Sequence, residues 1–173
     1  MSLMNEARGF SLLELLIVVA IISLVAAIAV PNLLAARRAA NEGSAVSSLR
    51  TLYGANLTFA ATAGDGDYAG IPSTVGVSSL EDLFDERLID GAIASGAKGG
   101  YVFVGDWTPS TPSQLATFYF SANPSVSAGV VASGTKRYGV ATDGVLKSDA
   151  DAINLAVPFD APSLAIATPL NAG

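Results

Sequence analysis

The feature that most constrains this chain is an almost uninterrupted apolar run close to its N-terminus. Between Phe10 and Ala36 the only ionisable side chain is Glu14. A helix rises about 1.5 Å per residue, so the roughly 20 residues that a bilayer core requires are available within this run. The pattern predicts a membrane-spanning helix over residues 10–36, in which an acidic side chain is costly unless it has a partner.

Two other interpretations of the run compete with that one. A secretory signal peptide has an apolar core of roughly 7–15 residues and a small-x-small cleavage site, which residues 27–29 would supply. The run is too long for it, and Glu14 interrupts the core. A plain membrane anchor explains the length, with Glu14 one turn inside and reaching the headgroups, but it gives the carboxylate no function.

Composition excludes several classes of function. The 173-residue chain contains no histidine and no cysteine, so Ser-His-Asp and Cys-His nucleophiles and the usual zinc, haem and iron–sulfur ligands are absent. We therefore predict that the protein is not an enzyme, and no disulfide supports its fold. The net charge of -6 argues against a broad basic surface, and no specific nucleic-acid site is evident.

The residues around Glu14 resemble a known N-terminal signature. The stretch R-G-F-S-L-L-E-L-L-I-V-V-A-I-I-S-L-V-A-A-I-A-V-P-N-L resembles that of type IV prepilins and of the pseudopilins of type II secretion. In that family a polar leader ends in Gly, the next residue is usually Phe, and Glu is fifth in the processed chain; Gly9, Phe10 and Glu14 match. Pro31 matches a proline that the family often carries, around which pilins can lose helical structure on assembly.

The resemblance implies a processing and assembly pathway. A prepilin peptidase would remove the leader, residues 1–9, between Gly9 and Phe10, and the new Phe10 amine would be N-methylated without losing its charge. Glu14 of one subunit would then pair with the Phe10 amine of a neighbour in a helical filament.

The resemblance also implies partners and a location. It implies a homo-oligomeric filament whose subunits are inserted in the inner membrane before assembly. The other implied partners are an inner-membrane assembly platform, an assembly ATPase and a secretin, and the end product is an extracellular pilus. Two alternatives stay open: a pseudopilin in a periplasmic pseudopilus, and a membrane-tethered binding domain that never polymerises. Only Arg8 precedes the apolar run while other arginines follow it, so the orientation rests on the resemblance alone.

Residues 37–63 are predicted to continue the helix as an amphipathic segment that ends at Gly64. Arg38 and Glu42 are four residues apart on another face and can pair. The helix needs a partner for its apolar stripe, because a rod of this length is not stable alone in water. The stripe consists of Val46, Leu49, Tyr53, Leu57 and Ala60, whereas Ser48 is assigned to a different face.

Residues 64–173 change to short β-rich runs among Gly, Ser, Thr and Pro, which predicts a globular domain. After a loop, a capping box at residues 78–81 favours a short helix over 79–89. Antiparallel strands are expected at about 101–106, 116–122 and 137–146, with a turn signal at residues 142–145 after which a fourth strand could begin at Val145. The Pro-rich tail from residue 158 is expected to lie along a neighbour or to be loosely ordered. A small antiparallel sheet packed on a long N-terminal helix makes the predicted fold class α+β, as in the type IV pilin fold.

Two features of this domain raise the question of further chemistry. Asp143, Asp149 and Asp151 have a spacing similar to that of calcium loops in some major pseudopilins, but calcium requires six to eight oxygen ligands, and solvated aspartates are the simpler interpretation. No cofactor is otherwise predicted. The aromatic residues could in principle form a path for electrons, but their spacing favours core packing: Tyr53, Phe59, Phe103, Trp107, Phe118, Tyr119 and Phe120.

Overall fold

A computed structural model describes residues 10–170, so the leader with Gly9 and the last three residues of the tail lie outside the described residues. The chain divides into two compact units, Met1–Ala36 and Arg37–Gly173. The helices are α1 (Leu12–Thr62), α2 (Ser78–Asp85), α3 (Gly91–Ala94) and α4 (Ala161–Ile166). The strands are β1 (Ala97–Lys98), β2 (Tyr101–Thr108), β3 (Thr117–Pro124), β4 (Arg137–Ala141), β5 (Leu146–Asp149) and β6 (Thr168–Pro169).

The first unit contributes the N-terminal part of α1. Ser11 caps the helix, because its hydroxyl accepts a hydrogen bond from the Leu13 amide at 3.3 Å. The helix runs through Pro31 without a break. It is long and apolar enough to cross a membrane by length and composition.

The second unit is built on an antiparallel sheet whose strand order follows the chain from β1 to β6. Strands β2 and β3 form its centre, paired from Tyr101 opposite Pro124 to Thr108 opposite Thr117. Alternate residues of β2 are buried, as expected for a strand with one face on the core. Almost all of β3 is buried, because Phe159 and Leu164 cover its second face at Tyr119. The α+β fold class predicted from the sequence is confirmed.

The C-terminal half of α1 packs into the main core through a stripe that coincides only in part with the predicted one: Leu49 is in the core and Val46 and Tyr53 pack against it. Leu49 and Leu52 are fully buried together with Phe103, whereas Leu57 is 40% exposed. The prediction also misplaced Ser48, which is buried. The buried positions repeat every three or four residues, and several carry small side chains that allow the sheet to approach the helix closely: Ala45, Ser48, Leu49, Leu52, Ala55 and Asn56.

The short helix ends earlier than residue 89, and its predicted capping box is not formed. Val77 is the N-cap and contributes no side-chain cap, while the Ser78 hydroxyl accepts a hydrogen bond from the Ile71 amide instead. At the other end Arg87 adopts a left-handed conformation with φ 59°. The amides of Arg87 and Leu88 donate to carbonyls of the last turn, which is the Schellman pattern that ends a helix.

The C-terminal segment is more ordered than expected. The predicted turn at residues 142–145 is present: it joins β4 and β5, and its Gly144 has φ 72°. As far as Leu170, the tail contains α4, with a capping box between Asp160 and Ser163, and β6, which pairs with β5. The tail is therefore part of the folded domain over its described residues, because Leu164 is buried against the sheet.

Candidate assembly site

The residues predicted to direct assembly lie at the start of α1. Phe10 precedes the helix and is 74% exposed, and Glu14 lies in the first helical turn. An acidic side chain is stabilised there by the positive end of the helix dipole. In the full-length chain the Phe10 nitrogen is a peptide amide, so the predicted cation at this position would require the bond to Gly9 to be cut.

The Glu14 carboxylate is exposed and is not used within the part of the chain that the structure describes. The ion pairs among residues 10–170 join Lys98 to Asp90, Arg137 to Asp149 and Lys147 to Asp143. The other polar group of this region, the Ser23 hydroxyl, bonds the Val19 carbonyl at 2.8 Å. None of these ion pairs includes Glu14.

The surface around Glu14 is apolar on all sides. A helix with apolar residues on every face is typical of a membrane span or of the centre of an assembly, because water is a poor solvent for it. The exposed large apolar residues of this stretch are Phe10, Leu12, Leu13, Leu15, Leu16, Ile17, Val18, Val19, Ile21, Ile22, Leu24, Val25, Ile28, Val30 and Leu33.

Pro31 lies inside this apolar surface and inside α1. Proline has no amide hydrogen and its ring crowds the preceding turn, which costs about 3 kcal/mol in a helix interior. The helix is therefore weakest at this position, and a local loss of helical structure there on assembly stays a prediction.

The first charged turns of the second unit hold the loop between β3 and β4. The predicted pair of Arg38 with Glu42 is not formed. Instead Glu42 accepts hydrogen bonds from the Thr135 amide at 2.7 Å and hydroxyl at 2.8 Å, and from the Tyr138 hydroxyl at 3.1 Å. Arg38 approaches the Val130 carbonyl at 3.5 Å. Sequence reasoning missed this cluster because Glu42 is 93 residues from Thr135 and 96 residues from Tyr138.

Two buried tyrosines near Glu42, Tyr101 and Tyr138, have a raised pKa. Burial, reinforced by the negative charge of Glu42, raises the pKa of Tyr101 and of Tyr138 above the usual range for a phenol. Both hydroxyls act as donors, Tyr101 to the Lys136 carbonyl at 2.8 Å and Tyr138 to Glu42. Each phenol must keep its proton to make these bonds.

The three aspartates considered for calcium are engaged separately. Asp149 pairs with the buried Arg137 at 2.8 Å, Asp143 pairs with Lys147 at 3.3 Å, and Asp151 accepts a bond from the Ile153 amide at 3.0 Å. Across residues 10–170, no three His, Cys, Asp or Glu side chains are grouped so that they could hold a metal ion.

Arg137 explains how the segment after β5 is held in a domain without a disulfide. Its guanidinium bonds Asp149 and the Val157 carbonyl, and it lies 4.0 Å from the ring centre of Phe159. Hydrogen bonds from the Asp151 amide and Asn154 and the positive charge of Arg137 outweigh burial and lower the pKa of Asp149. This carboxylate is therefore charged at neutral pH.

Most of the aromatic side chains pack in the core, as predicted. Phe103, Trp107 and Phe120 are almost fully buried in one cluster. Phe118 lies at ring-centre distances of 5.8 Å from Tyr53 and 4.5 Å from Tyr68, which is ordinary aromatic packing. Core packing therefore explains the positions of these aromatic side chains, and a role in electron transfer is not needed to explain them.

Comparison with known proteins identifies the N-terminal segment. Residues 4–30 match the family model described as the prokaryotic N-terminal methylation motif. The chain is 62% identical over 39 residues to the type IV wide pilus major component PilA4 of Thermus thermophilus, which covers 22% of this chain and 30% of that protein. It is 46% identical over 52 residues to the type IV major pilin protein PilA of Myxococcus xanthus, covering 30% of this chain and 24% of that protein.

These similarities are confined to one part of the molecule. The matched segments span less than a third of either relative, and no solved structure matches the chain. The matched part contains Phe10 and Glu14 within an exposed apolar helix, and the remainder has the α+β architecture expected of the same family. In its N-terminal segment, the chain is similar to type IV pilins.

Proposed function

We propose that this protein is a structural subunit of a type IV pilus. The observation that carries the proposal is the methylation motif over residues 4–30. From Leu12 to Leu33 the chain is an exposed helix rich in apolar residues, and Glu14 lies in its first turn. Cleavage after Gly9 produces a charged amine at Phe10, which is then methylated. In the filament that amine pairs with Glu14 of a neighbouring subunit, while the apolar helices pack together.

The same proposal assigns partners and a location. The precursor is held in the inner membrane by residues 10–36 and is a substrate of a prepilin peptidase. An assembly platform, an assembly ATPase and a secretin then act on it, and the filament reaches the cell surface to support adhesion, motility or DNA uptake. The similarity to two proteins named as major pilus components supports a homo-oligomeric product.

The alternatives have less support. The relatives reported above are named as pilus components, which does not favour a pseudopilin of type II secretion. A tethered binding domain that never polymerises leaves Glu14 without a partner in the apolar segment. The resemblance to structural pilins also supports a role other than catalysis, in agreement with the absence of histidine and cysteine.

The test is the intact mass of the chain in filaments sheared from the cell surface. The expected mass corresponds to residues 10–173 with one added methyl group. This single value reports cleavage, methylation and export to the surface. Total-cell and envelope fractions from the same culture are measured in parallel as the matched control.

Each other outcome has a definite meaning. Correctly processed protein that is confined to the envelope would support the pseudopilin instead. An unprocessed chain that begins at residue 1 or 2 would contradict the proposal as a whole, because no charged amine would then exist at Phe10.

A further inference from the structure

Residues 125–135, in the loop between β3 and β4, have an apolar tip that is exposed. We name it the rim loop. Its sequence from Ser125 to Thr135 is S-V-S-A-G-V-V-A-S-G-T, without a charged residue. Val130 is 71% and Val131 is 73% exposed. Within the domain these two side chains cover no part of the core, so their exposure calls for a physical explanation.

The rim loop is held in place rather than free to fold back on the domain. Its two sides are joined by a hydrogen bond of 2.9 Å from the Ser133 amide to the Val126 carbonyl. Asn41 of α1 bonds the Ser133 carbonyl at 2.8 Å, and Glu42 accepts both the amide and the hydroxyl of Thr135. The valine tip is thus presented by a fixed loop attached to α1.

The point of attachment is the first charged stretch of α1 after the apolar run. Arg37 and Arg38 are the first cations that follow the run ending at Ala36, and Arg38 approaches the Val130 carbonyl at 3.5 Å. Cations that flank a membrane-spanning segment lie at the level of the lipid headgroups. A loop tip in contact with Arg38 is consequently close to that level, and the exposed Lys136 lies between the rim loop and β4.

From this geometry we infer that the tip of the rim loop, Val130 and Val131, inserts into the headgroup region of the membrane while the subunit awaits assembly. The inference rests on the proposed function in one respect, the insertion of residues 10–36 into a bilayer. The flanking cations Arg37 and Lys136 complement an anionic lipid surface. The contact would hold the domain at the membrane surface until the subunit is withdrawn into a filament.

A lipid surface fits this tip better than a protein partner does. Two valines among Gly, Ala and Ser form a small convex patch, whereas a stable protein interface buries about 1,200–2,000 Å² in total. Shallow insertion of a few apolar side chains beside cations is how interfacial segments bind membranes.

The absence of native cysteine allows a direct test with the full chain. Val131→Cys is labelled with an environment-sensitive fluorophore and reconstituted in phosphatidylethanolamine–phosphatidylglycerol vesicles, with or without a lipid that carries a quencher near its headgroup. Leu115→Cys is the matched aqueous control, because Leu115 is 85% exposed in the loop between β2 and β3, at the opposite end of the sheet. Ile22→Cys reports insertion of the apolar helix.

The expected result is a blue-shifted emission at position 131 that the headgroup-level quencher reduces, with an aqueous spectrum at 115 and an apolar one at 22. An aqueous spectrum at 131 together with an apolar one at 22 would overturn the inference and leave the proposed function intact. A blue shift at 131 without lipid quenching would also overturn it, since a second copy of the chain would then cover the tip. An aqueous spectrum at 22 would remove the premise of membrane insertion and contradict both proposals.

Discussion

Helix α1 combines two regions with opposite surroundings. Residues 12–36 are exposed apart from the half-buried Leu34, whereas in residues 37–62 Leu49 and Leu52 are fully buried against the sheet. Both regions are helical, and both are rich in alanine and leucine, which favour helices. Helix propensity therefore does not distinguish the two regions. They differ in what they pack against.

The comparison shows where each region obtains its stability. The second region is stabilised within one molecule, by burial of apolar area against β2 and β3. The first is apolar on every face and has to obtain that burial from lipid or from other subunits. Substitutions in the first region should therefore affect assembly, and those in the second should affect folding.

The largest effect is expected for Glu14→Gln, which removes the charge and keeps the shape. Removal of one partner of a buried ion pair costs about 3–5 kcal/mol, so the Phe10 amine of the neighbour would be left unpaired in the filament core. We expect surface filaments to be lost, measured as pilin in the sheared fraction relative to total pilin. The matched control is Ser23→Ala, which removes a polar group of the same helix and should still assemble. Normal assembly of Glu14→Gln would contradict the proposed pairing.

Paired leucine substitutions compare the two regions directly. Leu52→Ala creates a cavity in the core and should lower the free energy of unfolding by about 2–5 kcal/mol. Leu24 is 67% exposed, so Leu24→Ala should leave the free energy of unfolding of the domain unchanged. The measurement is thermal unfolding of the full chain in detergent, followed by near-ultraviolet circular dichroism. Equal losses for both variants would show that the two regions are not stabilised independently.

A smaller effect is expected for Asp149→Asn, through the segment that Arg137 holds. The hydrogen bond to a charged partner is worth about 1.5–3 kcal/mol, and that stability should be lost at neutral pH. Because the pKa of Asp149 is lowered in the folded state, its contribution is present above the unfolded pKa of about 3.9 and is lost as the pH falls through the folded value.

The variant should therefore lose less stability than the parent between pH 5 and 2. Asp151→Asn is the control, since its carboxylate accepts a single bond from a nearby amide and pairs with no cation among the described residues. If the stability of Asp149→Asn and of the parent protein fell equally between pH 5 and 2, protonation of Asp149 would not explain the loss of stability in acid.

The smallest effect is expected for Tyr138→Phe, which removes one of three donors to Glu42. It should cost about 1.5 kcal/mol near pH 7, the low end for a bond to a charged group, because Glu42 keeps both donors of Thr135. The pKa of Tyr138 is raised on folding, so the stability linked to its proton is complete below the unfolded pKa of about 10 and declines above it. The variant should thus show a weaker alkaline decline than the parent. In Tyr119→Phe, where burial raises the pKa to about 12, the same weakening is expected without the loss of a bond to Glu42. If Tyr138→Phe and the parent declined equally above pH 10, the linkage to Tyr138 would be wrong.

Sequence reasoning was most successful where the signal is local. The apolar helix and the strand-forming runs near Tyr101, Phe118 and Tyr138 depend on neighbouring residues, and each is present at about the predicted place. It failed where distant residues compete for one group. Glu42 was assigned to Arg38 one turn away, but Thr135 and Tyr138 bind it instead.

Other errors have the same origin. The end of α2 at Arg87 depends on a left-handed residue that is not glycine, and the sequence contains no signal for it. The buried stripe of α1 includes Ser48 and Asn56, which hydrophobicity alone would not select. The tail is ordered because Leu164 packs against the sheet beside Phe159, a contact between residues that are distant from the strands in sequence.

The sequence by itself determined the N-terminal segment, because one carboxylate in an apolar helix after Gly9 and Phe10 is a local pattern whose chemistry does not depend on the rest of the chain. Tertiary structure alone decided which face of α1 meets the sheet, which partners Glu42 and Arg137 take, and that two valines are held beside Arg38. Those outcomes depend on contacts between residues far apart in the chain, and such contacts are settled by the packing of the whole domain rather than by any local preference.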